Sequence, residues 1–356
     1  MPVSKKIIKI TQAIFPALLM VAGALLSGAV LIVIAGNDPI AAYKALLEGA
    51  FSNSYRISET FVKAIPLMLM AQGISIAFKN QIWNIGAGGQ FTIGTILSVI
   101  VCLYFKLPPI PTIILSFIFA FIGGALWGGL AGWLKARFNA NEVITTLMLD
   151  YIATFLLAYL VYGPMMDPNG FGYPQSAVIE KVLRLPKLIV GGRLHAGLFV
   201  AIAILLLMIL FWRSTLGFKI ELAGQGNDVS RYAGINNKKI IIIAMLLSGG
   251  LSGIAGWNEI HGIHFRLMTD LAGSYGSIAI VIALLGNLNP LGIAISAYFF
   301  SVLIVGGNTM QNLTGIPYSL VDIIQGLIVV FVITRTAFKA ESIQSFFRKR
   351  RYQHNG

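Results

Sequence analysis

Long apolar stretches recur along this chain, and their length limits its possible folds more than any other feature. The first runs from Thr11 to Ala35 and follows Lys5, Lys6 and Lys9. A helix needs about 20 apolar residues to cross the hydrocarbon of a bilayer. Nine further candidate spans are 57–78, 84–105, 111–134, 142–162, 194–212, 240–260, 275–288, 291–307 and 318–336. The sequence therefore predicts an all-α polytopic membrane protein with about ten transmembrane helices.

Composition supports this prediction. Hydrophobic residues make up 57% of the chain and charged residues 11%, against roughly 45–50% and 25% in soluble domains. So few polar groups cannot cover a soluble fold, which excludes an ordinary globular protein and a disordered chain. The single cysteine, Cys102, excludes an intrachain disulfide scaffold and a cysteine zinc cluster. The first span starts like a signal peptide but is too long, so we expect it to remain as an anchor.

The net charge of +13 indicates membrane topology rather than nucleic-acid binding. Alternating spans place seventeen of the 26 basic residues on one side, and basic residues collect on the cytoplasmic side of membrane proteins. Both termini are therefore expected in the cytoplasm. Residues 1–338 are expected to form one transmembrane domain, with an external loop at 164–193 and an internal loop at 213–239. Residues 339–356 are expected to form a basic cytoplasmic tail against anionic headgroups.

The segment 83–90 opens a span with three glycines within four positions. Glycine at this density does not form a stable helix interior, so we expect a broken or re-entrant start. Its freed backbone groups would line a cavity, where Asn84 and Gln90 offer uncharged donors and acceptors. Tight helix packing through small residues is the other explanation, and the two are compatible.

Acidic residues in the spans allow a different transporter class. Asn141 can cap the fifth span and Glu142 stands in its first turn, where the positive helix end favours it. Asp150 lies deeper and needs a partner or water. A secondary transporter driven by Na⁺ or H⁺ through Asp150, Glu142 or Asp322 is therefore an alternative.

Signals for catalysis are few. Glu259, His261 and His264 form a cluster at the end of a span, and two such imidazoles can share a metal. Gly262 favours a loop there, so a metal-dependent membrane enzyme is a second, weaker alternative. The chain has no G-x-x-x-x-G-K-[ST] loop. If ATP drives this protein, another subunit must bind the nucleotide.

The internal loop between Leu216 and Ile235 contains a predicted short helix over 227–232. Asn227 is its expected N-cap, Asp228 stands in the first turn, and Gly234 ends it. An exposed cytoplasmic helix of this kind suits docking into a partner's groove. A solvated helix lying on the membrane is the alternative.

These motifs, in this order and spacing, resemble permeases of bacterial ABC importers over nearly the whole chain. The similarity is strongest to the branch that imports nucleosides with basic-membrane-lipoprotein-type binding proteins; permeases for ribose-type sugars and branched-chain amino acids are more distant. The matching segments are 84–90 (NIGAGGQ), 141–153, 172–177 (GYPQSA), 231–235 (RYAGI) and 283–286 with 290–292. The common form of the first motif carries an acidic residue where this chain has Gly89, so no charged role is carried over there.

The resemblance implies a type II importer-like bundle in the bacterial cell membrane. Its implied partners are an ABC ATPase that uses ATP and Mg²⁺, a second permease, and an extracellular lipid-anchored binding protein. The chain itself would bind no cofactor or metal and catalyse no reaction. The implied ATPase-coupling residues are Gly226, Asn227, Asp228, Arg231, Tyr232 and Gly234. The implied substrate-path residues are Asn84, Gln90, Asn141 and Asn287, whose amides suit a neutral nucleoside; a permease for simple sugars or branched-chain amino acids is the alternative within the family.

Overall fold

The computed structural model of this protein describes residues 22–337. This part of the chain contains α-helices, short helical turns and isolated β-bridges but no strand. The helices are α1 Ala22–Ile34, α2 Pro39–Phe51, α3 Ser54–Lys79, α4 Ala87–Tyr104, α5 Pro109–Phe138, α6 Glu142–Tyr162, α7 Gly197–Phe211, α8 Thr215–Ala223, α9 Asn227–Tyr232, α10 Asn237–Glu259, α11 Tyr275–Leu285, α12 Pro290–Thr314 and α13 Ser319–Ala337. The start of the first span and the basic tail at 339–356 lie outside the described residues.

Six of these helices are long and apolar enough to cross a membrane, and a seventh span results if the bent pair α7 and α8 is counted as one. Three shorter apolar helices, α1, α11 and the first part of α13, add to them. The prediction of an all-helical polytopic membrane protein is confirmed. Helix α2 was not among the expected elements; Asp38 caps it, accepting a hydrogen bond from the Ile40 N–H.

Residue contacts divide the chain into two compact units, and the helices of 53–301 form the larger one. Helix α3 lies inside this unit, with 89% of its most apolar 18-residue stretch buried. The corresponding stretch of α6 is only 17% buried. At its centre α10 packs on α3, α4 and α5, and α4 packs on α5. Most of the outer face of α6 is therefore free to meet lipid or another protein.

Glycines bring α5 and α10 into backbone contact, which we call the glycine seam (Gly124, Gly128, Gly249 and Gly253). A methyl group on Gly128 would lie 2.6 Å from the carbonyl oxygen of Met245. Lipid offers no hydrophobic drive for helices to associate, so close backbone approach is how membrane helices gain dispersion energy. The sequence placed these glycines inside spans without indicating which helices they join.

The smaller unit comprises the described residues of 22–52 and 302–337. Within it, the Tyr43 hydroxyl donates to the carbonyl of Leu25 at 2.5 Å. Gly28 packs on Ile324, and Gly49 packs on Thr309. The contacts of 22–52 thus run to helices from the other end of the chain.

The expected external loop connects α6 to α7 and folds back onto the segment that follows α10. Backbone N–H groups of Ser176 and Ile179 donate to the carbonyls of Leu267 and Phe265 at 3.0 and 2.8 Å. Two isolated β-bridges, Gln175 with Met268 and Lys187 with His195, complete this arrangement. Main-chain pairing therefore holds the loop against the segment that follows α10.

Candidate functional site

Helical structure is interrupted between α3 and α4, as the sequence predicted. Residues 82–85 lack helical structure, and Gln81 takes a left-handed conformation with φ of 59°. The break precedes the glycines, since Gly88 and Gly89 lie in the first turn of α4. Both glycines also pack closely on α6. The broken start and the tight packing therefore occur together.

The side-chain amides of Asn84 and Gln90, which we call the amide pair, hold this connection inside the protein. The Asn84 Nδ2 group donates to Gln90 Oε1 at 2.9 Å and to Ser248 Oγ at 2.8 Å, and Gln90 Nε2 donates to Asn84 Oδ1 at 2.8 Å. Asn84 and Gln90 are fully or almost fully buried. Ser248 is the central residue of α10, so the pair lies near mid-depth of that span. Here the two predicted path residues bind each other.

Asp150 lies over the amino-terminal end of α4. A methyl group on Gly88 would lie 2.8 Å from Asp150 Oδ1, so this carboxylate oxygen lies close to the α4 backbone. The unpaired N–H groups and dipole of a helix start favour a negative charge. The Asp150 carboxylate therefore lies against the start of α4. A side chain at Gly89 would meet the Asp150 backbone at 2.7 Å, so an acid there needs a different placement of α6.

The other two predicted path residues stand at helix ends. The Asn141 side chain caps α6 by accepting hydrogen bonds from the Val143 and Ile144 N–H groups at 3.0 and 3.3 Å. Asn287 is exposed and left-handed, with φ of 53°, in the turn between α11 and α12. The structure thus brings Asn84 and Gln90 together. Asn141 is separate from them, because it lies about 13 Å along α6 from Asp150, the residue beside the start of α4.

A charged cluster at the opposite end of α3 was missed by the sequence reasoning. Arg193, in the loop between α6 and α7, makes a two-point ion pair with buried Glu59, and Arg193 Nε donates to Glu59 Oε1 at 2.8 Å. This hydrogen bond raises the pKa of Arg193. Lys63 Nζ donates to the Tyr275 hydroxyl at 2.7 Å. These partners are over one hundred residues apart in sequence, so no local pattern could reveal them.

The Glu259, His261 and His264 side chains do not converge. His261 is buried; its Nδ1 lies 2.7 Å from the Leu183 carbonyl and its Nε2 3.2 Å from Ser116 Oγ. Glu259 instead faces His264, with Oε2 and Nε2 3.2 Å apart. Among residues 22–337, no three His, Cys, Asp or Glu side chains are grouped to hold a metal.

The prediction of a loop around Gly262 is wrong, because α10 continues into a π-helical turn over Ile260–His264. Gly262 packs directly on the ring of His195. That contact leaves no room for a side chain. Burial lowers the pKa of His195, a shift that the nearby Glu259 carboxylate opposes. A neutral, buried His195 therefore fills the space beside this turn.

The short helix predicted over 227–232 is confirmed as α9. Gly226 stands in the cap position with φ of 131°, and Gly234 follows the helix with φ of 66°. Both conformations favour glycine. The prediction of Asn227 as N-cap is wrong, since Asn227 is the first residue of the helix. Asp228 and Arg231 are exposed, and Tyr232 is 95% exposed, so α9 presents an uncovered surface.

Comparison with known proteins assigns the class. Residues 56–333 match the family described as branched-chain amino acid transport system / permease component. The chain belongs to this family. It is 34% identical to the glucose ABC transporter permease protein TsgB13 of Haloferax volcanii, over 93% of this chain and 90% of the relative.

Two bacterial relatives are similar over comparable lengths. The guanosine ABC transporter permease protein NupP of Bacillus subtilis is 30% identical over 93% of this chain and 96% of its own. The nucleoside ABC transporter permease protein NupB of Lactococcus lactis is 33% identical over 91% of each chain. The protein is therefore a permease subunit of an ABC transporter. It is an integral membrane protein that contributes transport rather than catalysis.

Proposed function

We propose that this permease imports nucleosides as one of two permeases in an ATP-driven complex. Two of the three relatives described above carry guanosine or nucleoside in their names. Uncharged amides near mid-depth suit the hydroxyls and base edges of a neutral nucleoside, which need paired hydrogen bonds once dehydrated. The family membership is the observation that carries the transport assignment, and the names of the two bacterial relatives support the substrate.

In this proposal, a separate ATPase binds ATP and Mg²⁺ and docks on α9. Gly226, Asn227, Asp228, Arg231, Tyr232 and Gly234 form the coupling surface. Closure of the ATPase pushes α9, and the two permeases rock between outward and inward openings. Asn84, Gln90, Asn141 and Asn287 remain the proposed path residues. An extracellular lipid-anchored binding protein delivers the solute to the side that carries the external loop, and the second permease covers a face of this chain.

We also propose about ten spans with both termini in the cytoplasm. The seven long spans and the three shorter apolar helices together make ten. Lys79, Lys135 and Lys238 then share one side of the membrane, in agreement with the rule for basic loops. The external loop with Arg193 lies on the other side.

Thiol labelling tests this topology. In a Cys102→Ala background, a membrane-impermeant thiol reagent should label Val190→Cys on intact cells, because Val190 is fully exposed in the external loop. It should label exposed Lys238→Cys only after the cells are made permeable. Labelling of Lys238→Cys on intact cells would place α9 outside the cell and contradict the coupling role.

A simple sugar is a second candidate substrate, because a glucose permease is 34% identical to this chain. Uptake by the complete complex in proteoliposomes distinguishes the two. We expect ATP-dependent uptake of labelled guanosine or uridine that excess glucose does not reduce. ATP-dependent glucose uptake that nucleosides do not compete with would replace the nucleoside assignment. Uptake driven by an ion gradient without ATP would support the secondary-transporter alternative.

A further inference from the structure

Helix α8 lies between the proposed coupling helix and the membrane-spanning part of the larger unit. It follows α7 after a bend of 72°. Helix α8 packs on α3, α9 and α10, and α9 packs on α8 and α10. A push on α9 therefore reaches α3 through α8.

One lysine fastens α8 to α3. Lys79, the last residue of α3, has its Nζ 4.0 Å from the centroid of the Trp212 ring and 3.6 Å from Glu221 Oε1. Trp212 directly follows α7, and Glu221 belongs to α8. The Lys79 ammonium thus makes a cation–π contact and an ion pair on the two sides of the bend. Its side chain is only 21% exposed, which reduces screening by water.

Backbone contact at the end of α8 reinforces this connection. A methyl group on Gly224 would collide with the carbonyl oxygen of Lys79 and would lie 3.1 Å from Asn80 Cα. With no side chain between the two backbones, no rotamer change can absorb a displacement of α8. The end of α3 must move with it or lose the contact.

The same end of α3 leads into the broken connection. Asn80 follows Lys79, is 5% exposed, and has neither side-chain amide atom hydrogen-bonded within the described part of the chain. An unpaired buried amide is unfavourable, and a second arrangement of this hinge could satisfy it. Four residues further on, Asn84 joins the amide pair with Gln90 near mid-depth.

We propose that Lys79 is a positioning residue that transmits the movement of α8 and α9 to the connection at 80–86 and so to the solute path. This inference rests on the proposed ATP-driven function. It assigns the route of the motion to a contact between α3, Trp212 and Glu221. Lys79 touches neither the ATPase nor the solute in this proposal.

The test measures solute transported per ATP hydrolysed in the complete complex in proteoliposomes. Lys79→Met keeps the aliphatic stem and removes the charge. We expect ATP hydrolysis within about twofold of wild type and a fall in transport per ATP of about tenfold or more. Lys79→Arg, which keeps the cation over the ring, should restore most of the ratio. Glu221→Gln removes only the ion pair and should produce a smaller fall.

Lys106→Met is the matched control, because Lys106 is an exposed lysine just beyond the end of α4. It should behave as wild type. A merely structural role for Lys79 would lower transport and ATP hydrolysis together, in proportion to the amount of folded complex, and would overturn the proposal. So would an unchanged ratio in Lys79→Met. If wild type shows no ATP-dependent uptake, the proposed function fails first, and this inference fails with it.

Discussion

Replacement of Tyr232 by alanine is expected to reduce ATP-driven uptake sharply and leave the permease itself stable. The Tyr232 side chain is 95% exposed, so truncating it removes almost no contact within the chain. Aromatic residues of this kind often dominate protein interfaces, at about 2 kcal/mol or more each. That loss weakens binding of the ATPase about 30-fold. Co-purification of the ATPase and uptake by the complex measure the two effects.

Phe171→Ala is the matched control for Tyr232→Ala. Phe171 is an aromatic residue in the external loop with 96% exposure, on the side away from the proposed ATPase. It should leave ATPase binding unchanged. Gly226→Ala provides a second variant, because φ of 131° at Gly226 strains any other residue and redirects α9. Full ATPase binding by Tyr232→Ala and Gly226→Ala would show that α9 is not the docking helix.

Breaking the amide pair is expected to have the second large effect. Asn84→Leu or Gln90→Leu removes the hydrogen bonds that the partner's buried amide makes within the pair, at a cost of about 1–3 kcal/mol. The connection between α3 and α4 also loses its anchor at mid-depth, so uptake should fall severely. Thermal unfolding midpoints of the purified chain in detergent and uptake in proteoliposomes are the measurements.

A double-mutant cycle separates pairing from simple loss of volume. In Asn84→Leu with Gln90→Leu, both partners are apolar, and no amide of the pair remains unsatisfied. The double variant should therefore lose less stability than the sum of the single variants. Ser252→Ala is the control, since the buried Ser252 hydroxyl donates to the Ser248 carbonyl in its own helix at 3.2 Å. Additive losses in the cycle would mean that the two amides do not depend on each other.

Hydropathy alone predicted most of the architecture. Each expected span has a helix in the described part of the chain, because a bilayer requires both apolar composition and a minimum length. The short helix α9 was also predictable, since Asp228 suits its first turn and Gly234 its end, although the predicted N-cap was one residue late. Helix α2 was not, because at 13 residues it is too short to span a membrane.

Contacts between distant segments were beyond the reach of the sequence. Asn84 was singled out for its polarity, but its bond to Ser248 joins residues 164 positions apart. Two further contacts likewise depend on which helices are neighbours: the ion pair of Glu59 with Arg193 and the cation–π contact of Lys79 with Trp212. A single sequence gives the period and length of each helix, whereas neighbours follow from the packing of the whole bundle.

The glycine seam has a consequence for how such a transporter can change shape. The backbones of these two helices, α5 and α10, are in direct contact. Sliding one helix along the other would bring carbonyl oxygens into steric clash with α-carbons. We therefore expect α5 and α10 to move together as one rigid body throughout the transport cycle. The hinges must then lie outside this pair of helices, and the non-helical connection at 80–86 is the place to look for one.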